Sequence, residues 1–137
     1  MIEPFKVHVR FSDLDVLGHV NNSVYLTYFE SARVYYFKHL LGTDWDWTKD
    51  SVVLVKNEVE YIRPILLHDV PEIEVYTKHI GTKSYTFGYN IRVNGELYSK
   101  GASTLVAYDV NTQKTTEIKP EMVEVLRKLE KESSEEK

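Results

Sequence analysis

The residues after position 22 repeat apolar side chains at the spacing of a helix, and this feature constrains the fold more than any other. One apolar stripe follows steps of three and four residues, and further apolar side chains lie outside it. The stripe comprises Tyr25, Tyr28, Phe29, Ala32, Tyr36, His39 and Leu40, and the additional apolar residues are Val24, Leu26, Val34, Tyr35 and Phe37. A helix that is apolar on so much of its circumference needs cover on several sides, and we expect a sheet wrapped around it to supply that cover. Asn21 or Asn22 is expected to cap its N-terminus, and Gly42 to end it.

Five segments have the alternation or the β-branched and aromatic composition of strands. The first covers residues 5–11, where Val7, Val9 and Phe11 are expected to share a buried face. The other four strands are predicted over 52–62, 72–80, 84–93 and 96–108. An aromatic loop containing Trp45 and Trp47 precedes them.

The segment 84–93 is the clearest strand. One face holds Tyr85, Phe87, Tyr89, Ile91 and Val93, and the other holds Ser84, Thr86, Asn90 and Arg92, so only one face needs to be buried. Asn94 and Gly95 predict a type I′ hairpin turn, because both central positions of that turn require positive φ. A turn at residues 81–83 is expected to precede the strand.

The end of the chain predicts a short amphipathic helix from Pro120. Its buried face is expected to hold Met122, Val125, Leu126 and Leu129, and the charged residues 130–137 then form a frayed tail. The order of elements is a strand, a long helix, four antiparallel strands and a short helix, which is typical of an α+β fold. We therefore expect one domain over residues 1–137, with the short helix and the tail occupying the chain from about residue 120.

Composition excludes several classes of function. The 137 residues include no cysteine, which excludes disulfides, thiolate zinc sites and cysteine nucleophiles. The net charge of -4 disfavours nucleic acid as a partner. No apolar run has the length of a membrane span and the first residues do not resemble a signal peptide, so we expect a soluble, cytoplasmic protein that does not bind membranes.

Sequence motifs exclude further classes of enzyme. The chain has no G-x-S-x-G, G-x-x-x-x-G-K-[ST], G-x-G-x-x-G or H-E-x-x-H motif, which argues against serine hydrolases, P-loop enzymes, Rossmann proteins and zinc proteases. The five histidines have no paired spacing, and no metal site is expected. A metal held by Asp13, Asp15 and His19 is the remaining alternative.

Polar residues are dense in the loop between the first strand and the long helix. Asp13 and Asp15 are followed by Gly18, His19 and the two asparagines at the helix N-terminus. Unpaired N–H groups there can stabilise an oxyanion that develops on a carbonyl, and a nearby carboxylate can attack that carbonyl or activate water. The alternative is a purely structural loop of turn-forming and capping residues.

A combined pattern spans this loop and the helix. Residues 10–25 read RFSDLDVLGHVNNSVY, residues 29–33 read FESAR, and residues 61–64 read YIRP with Asp69 downstream. The pattern resembles acyl-CoA thioesterases of the 4-hydroxybenzoyl-CoA thioesterase type, which have the hotdog fold, an antiparallel five-stranded sheet wrapped around a long central helix. The predicted elements suit that fold through about residue 118. The resemblance implies hydrolysis of an acyl-CoA or acyl-carrier-protein thioester without a cofactor, in a homodimer or homotetramer with sites between protomers.

The resemblance also implies roles for individual residues. Asp15 corresponds to the catalytic acid, acting as nucleophile or general base, and Asp13 to a supporting residue. The backbone N–H that polarises the thioester carbonyl corresponds to Asn22. His19 is expected to hydrogen-bond Asp15, orient water or contact substrate, with a purely structural role in the loop as the alternative. The sequence of residues 19–22 resembles relatives that act on fatty or other acyl thioesters.

Substrate binding is assigned to Tyr25, Asn21, Arg63 and Lys83. Tyr25 is expected to line the acyl pocket, and Lys83 to contact the phosphates of CoA. The alternatives are a core position for Tyr25, a solvated turn lysine for Lys83, and pairing of Arg63 with Asp69 or Glu60.

Glu30 is a further candidate carboxylate. Another branch of hotdog enzymes uses a glutamate on the helix, but the i,i+3 spacing to Arg33 favours a structural ion pair. The alternatives for the whole protein are a module that binds acyl thioesters or acyl carrier protein without hydrolysis, and a hotdog hydratase or dehydratase.

Overall fold

The chain forms an antiparallel sheet that curls around one long helix. The computed structural model describes residues 2–42, 45–48 and 50–131. The strands are β1 (Phe5–Lys6), β2 (Asp50–Tyr61), β3 (Glu72–Ile80), β4 (Ser84–Val93), β5 (Glu96–Asp109) and β6 (Lys114–Thr115), and the helices are α1 (Val24–Leu41) and α2 (Pro120–Lys128). Their order in the sheet is β1-β3-β4-β5-β2, with the short β6 on β5. This arrangement confirms the hotdog fold and the four long strands.

The β4–β5 hairpin fixes the register of the sheet. Asn94 and Gly95 have φ values of 51° and 83°, as a type I′ turn requires. The face of β4 that was predicted to be buried is buried at Tyr85, Phe87, Tyr89, Ile91 and Val93. Part of the opposite face is also covered, because the Tyr76 ring lies against Gly88 and the side chain of Asn90 donates to Glu74.

The helix α1 packs its aromatic residues against the inner face of the sheet. Phe29 is fully buried, and its ring stacks on Tyr89 with the centroids 4.1 Å apart. Gly42 ends the helix as expected, with φ of 74° and its N–H bonded to the carbonyl of Lys38. Leu26 and Val34 are exposed, so the described residues leave one side of α1 uncovered.

The first strand is much shorter than the predicted 5–11. The strand β1 ends at Lys6, although Val7 and Val9 are buried as expected. The prediction was wrong for Phe11, which is 81% exposed and begins a 3₁₀ turn. The reason is local, since the carboxylate of Asp13 accepts the backbone N–H of Arg10 and turns the chain away from the sheet.

The C-terminal segment continues across the sheet beyond α2. Met122, Val125 and Leu126 are buried as predicted, and Leu129 accepts a hydrogen bond from the N–H of Thr77 on β3. The expected fraying at residues 130–131 was wrong, because Glu130 bridges to Thr77 and the Lys131 ammonium lies 2.8 Å from Glu74. The rest of the predicted tail lies outside the described residues. Within the described ranges, no helix is long and apolar enough to cross a membrane.

Candidate active site

A closed turn over residues 14–20 presents the predicted catalytic acid. The N–H of Asp15 donates to the carbonyl of His19 at 2.7 Å, and Leu14 bridges to Val20. Gly18 adopts φ of 79°, a left-handed conformation that favours glycine. These contacts close the loop at its base, so the position of Asp15 is set by the backbone.

The carboxylate of Asp15 has one committed oxygen and one free oxygen. Its Oδ1 accepts the backbone N–H groups of Leu17 at 2.9 Å and His19 at 3.1 Å. Its Oδ2 makes no hydrogen bond with any residue that the structure describes. The predicted bond between Asp15 and His19 therefore involves the His19 backbone, and the half-buried imidazole makes no hydrogen bond with the described residues.

The peptide that joins Asn21 to Asn22 is held at the start of α1. The Asn21 carbonyl accepts the N–H of Val24 at 2.9 Å, and the Asn21 side chain accepts the N–H of Ser23 at 3.0 Å. The capping function thus falls on Asn21. Because the C=O and N–H of a trans peptide point in opposite directions, the Asn22 N–H is directed away from the helix. No hydrogen bond among the described residues uses that N–H.

A cavity of about 260 Å³ brings most of the predicted residues together. Its lining includes Asp15, His19, Asn22, Tyr25, Tyr61 and Arg63. Asn21 is not part of this lining, since its side chain is occupied by Ser23. The cavity is therefore lined by the two residues that carry a carboxylate oxygen and a backbone N–H with no hydrogen-bond partner among the described residues, Asp15 and Asn22.

Tyr61 is a residue of this cavity to which sequence analysis gave no role. Its hydroxyl donates to the carbonyl of Asn22 at 3.0 Å, and its ring meets the ring of Tyr25 edge to face with centroids 4.8 Å apart. Burial raises the pKa of Tyr25 to about 12, so its phenol remains neutral at physiological pH. The sequence feature that could have pointed to Tyr61 is its position at the end of the second predicted strand.

Asp13 has the supporting position that was expected for it. It is 3% exposed and accepts hydrogen bonds from the Tyr28 hydroxyl at 2.8 Å and the Arg10 N–H at 3.0 Å. Burial alone raises the pKa of Asp13, but these bonds and the charge of Arg10 outweigh burial and hold the pKa below its usual value. Both oxygens of Asp13 are therefore committed to structure.

The two predicted cationic binding residues lie far apart within the chain. Arg63 lines the cavity, pairs with Glu96 and lies over the Tyr98 ring at 5.6 Å. Its predicted pairing with Asp69 or Glu60 was wrong, because Asp69 instead accepts the backbone N–H of Leu66.

Lys83 is exposed in the turn before β4 and does not line the cavity. The cavity lies at the other end of that strand, where Ile91 pairs with Ser99 and Ser99 with Tyr61. About 23 Å separate Ser84 from Ile91 at ~3.3 Å per strand residue.

The predicted ion pair between Glu30 and Arg33 is absent from the described residues. The Arg33 guanidinium points into the sheet, where Nη1 donates to the Tyr89 hydroxyl at 2.9 Å and to Ser103 Oγ at 3.4 Å. Glu30 remains exposed. Over the described part of the chain, no three His, Asp or Glu side chains gather in a group that would hold a metal ion.

Comparison with known proteins assigns the family. A family model described as the thioesterase-like superfamily matches residues 9–126. The chain belongs to the thioesterase-like superfamily. The long-chain acyl-CoA thioesterase FadM of Escherichia coli is 29% identical over 129 residues, covering 92% of this chain and 98% of FadM.

Two further proteins place the chain within this superfamily. The uncharacterized protein YsmA of Bacillus subtilis is 33% identical over 102 residues, which cover 74% of this chain and 69% of YsmA. A thioesterase from Thermus thermophilus, whose crystal structure contains coenzyme A and Zn, superposes with a TM-score of 0.82 at 38% identity and covers 93% of both chains.

Proposed function

We propose that this protein hydrolyses acyl-CoA thioesters to a carboxylic acid and coenzyme A. Membership of the thioesterase-like superfamily supports thioester hydrolysis, and relatives named as thioesterases support coenzyme A as the thiol. The observation that carries the proposal is that one cavity is lined by Asp15, whose Oδ2 accepts no hydrogen bond from the described residues, and by Asn22, whose N–H donates to none of them.

The mechanism assigns a separate task to each of these groups. The Asn22 N–H, at the positive end of α1, donates to the thioester carbonyl oxygen and stabilises the negative charge that develops there. Asp15 Oδ2 then attacks the carbonyl carbon, which expels the thiolate and leaves an anhydride that water hydrolyses, or it removes a proton from an attacking water. The Tyr61 hydroxyl holds the carbonyl of Asn22, which belongs to the next peptide along the chain.

The two routes differ in where solvent oxygen enters. A single turnover in ¹⁸O-water, followed by mass spectrometry of the peptide that contains Asp15, tests the covalent route. Label in the Asp15 carboxylate identifies an anhydride intermediate, because water that attacks the aspartyl carbonyl leaves its oxygen there.

The main test is thiol release from short, medium, long and aromatic acyl-CoAs. We expect Asp15→Asn to lower kcat by at least about 10²-fold, because the amide neither attacks nor accepts a proton. Asp109→Asn is the matched control, since Oδ1 of Asp109 also accepts two backbone N–H groups, those of Asn111 and Thr112, in a remote turn. Full activity of folded Asp15→Asn would contradict the mechanism, and inactivity of the wild type on every acyl-CoA would contradict the substrate class.

Pairing of two chains through β2 completes the proposal. The strand β2 lies at the edge of the sheet, and a second copy would extend the sheet there. Lys83 lies at the end of β4 opposite to the cavity of its own chain, so we assign the phosphate contact to Lys83 of a second chain. We infer a homodimer, which can pair further into a tetramer.

A further inference from the structure

A second cavity lies between the C-terminal half of α1 and the strands β2 and β5. Its volume of about 400 Å³ is within the range of small-molecule sites, about 300–1,000 Å³. Apolar side chains form most of its wall, among them Val34, Phe37, Trp47, Val52 and Leu105. It shares no lining residue with the cavity of Asp15.

One buried cation lines this apolar cavity. Arg33 is 8% exposed, and its Nη1 is held by two neutral hydroxyl groups, those of Tyr89 and Ser103. Its Nε and Nη2 donate to no residue among those the structure describes. Glu30 also lines the cavity but makes no ion pair with Arg33, and Lys38 adds a second positive charge.

Arg33 differs from the other arginines because it pairs with no carboxylate among the described residues. Each of the other four pairs with a carboxylate: Arg10 with Asp13, Arg63 with Glu96, Arg92 with Glu74 and Arg127 with Glu130. Those four arginines are more exposed than Arg33. Among the described residues, the guanidinium that has lost most of its hydration is therefore the one that pairs with no carboxylate, which is unfavourable unless an anion is supplied.

We propose that this cavity binds an aliphatic monocarboxylate, with the carboxylate on Arg33 and the chain against the apolar wall. A guanidinium edge offers two parallel N–H groups, which match the two oxygens of a carboxylate. A second copy of the protein that covered the cavity with apolar side chains would leave Arg33 unpaired. The class of ligand is inferred from the cavity alone. The further step, that this ligand is the acid released by hydrolysis, rests on the proposed function.

The two tryptophans of the chain make binding directly observable, because Trp45 and Trp47 both line the cavity. Titration of the whole protein with octanoate, decanoate and dodecanoate, below their micellar concentrations, is expected to change tryptophan fluorescence. The Kd should fall about fourfold for each added methylene. The corresponding alcohols should bind at least about tenfold more weakly, because they lack the charge that Arg33 recognises. Absence of any response at millimolar acid, or equal affinity for acid and alcohol, would overturn the proposal.

Variants locate the site. Arg33→Met should remove the preference for acid over alcohol. Val34→Phe should weaken acid binding at least tenfold in calorimetry, because Val34 lines the cavity. Leu26→Phe is the matched control and should leave acid binding unchanged, because Leu26 is also exposed on α1 but lies outside the cavity. Unchanged binding in both cavity variants would overturn the assignment. Asp15→Asn should retain acid binding, so the result can be read even if the proposed hydrolysis fails.

Discussion

Asp13 and Asp15 are two residues apart, yet their carboxylates lie in opposite environments. Asp13 is turned inwards, and each of its oxygens receives a hydrogen bond from Arg10 or Tyr28. Asp15 lies at the cavity and keeps one oxygen free. A carboxylate that is fully hydrogen-bonded stabilises the loop, whereas one with a free oxygen is available for chemistry. The division of roles between the two acids therefore follows from which side of the loop each one occupies.

The pKa of Asp13 gives a prediction about stability. Its folded-state pKa lies below the unfolded value of about 3.9, so the ionised carboxylate stabilises the fold above pH 4 and this contribution is lost as the pH falls through the folded pKa. We expect Asp13→Asn to lower the free energy of unfolding by about 1–3 kcal/mol at pH 7, and the difference from wild type to narrow as the pH falls below about 4. Urea unfolding of both proteins at several pH values measures this difference in the free energy of unfolding. A loss that does not change with pH would show that the charge of Asp13 is irrelevant.

At this scale, the sequence predicted two contacts that are local in the chain, a bond between Asp15 and His19 and a cap by Asn21 or Asn22. The bonds within the Asp15 turn and the cap by Asn21 join residues at most four positions apart. The partners of Tyr61 and Arg33 are 39 and 56 positions away. Such partners depend on the register of strands and on the rotation of α1, which residue spacing does not encode. The pairing of Glu30 with Arg33 failed for that reason.

At the scale of elements, the close packing of α1 on the sheet depends on a glycine in β5. The Phe29 ring occupies the space above Gly101 on β5, where a Cβ atom would lie 2.5 Å from the ring and 2.9 Å from the Glu58 carbonyl. Neither neighbour has room to move, since Phe29 is fully buried and stacked on Tyr89. Close approach of this helix to the sheet thus requires glycine at one position.

We therefore expect Gly101→Ala to lower the free energy of unfolding by about 2 kcal/mol, through overpacking between α1 and β5. Gly81→Ala is the matched control, because Gly81 does not have a positive φ and the nearest atom that its Cβ would meet, the carbonyl oxygen of Ser84, lies 3.2 Å away. Denaturant midpoints of the two variants should differ, with Gly101→Ala the less stable. Equal midpoints would show that α1 can shift away from the sheet without penalty.

The strands were predicted well where their pattern and their hydrogen bonding agree. The bounds of β3 and β4 match those predicted from alternation, and β2 and β5 differ from their predicted bounds by at most two residues. The first strand failed because alternation reports burial, which Val7 and Val9 retain, and does not report pairing with a neighbour. The two-residue β6 has too few residues to produce a pattern.

At the scale of the whole molecule, the strand β2 leaves an unpaired edge on one side of the sheet that the described residues form. Its successive residues Val53, Leu54 and Val55 are all exposed, so apolar side chains face outwards on both faces of an unpaired edge. Exposed apolar edge strands promote pairing with another chain. Antiparallel pairing of β2 with β2 of a second copy satisfies the edge and follows twofold symmetry.

The last prediction concerns this assembly. We expect the wild type to be a dimer at micromolar concentration, and the double variant Val53→Lys, Val55→Lys to raise the dimer Kd at least about 100-fold, because twofold pairing brings like charges together at the edge. Val70→Lys is the control, since Val70 is 55% exposed against 58% for Val55 but lies in the loop before β3. Sedimentation velocity measures the mass, and thiol release at the same concentrations should fall together with the dimer fraction. Two results would contradict pairing through β2: a monomeric wild type, or a double variant that remains dimeric. Full activity of a monomeric variant would instead show that one chain holds the complete site.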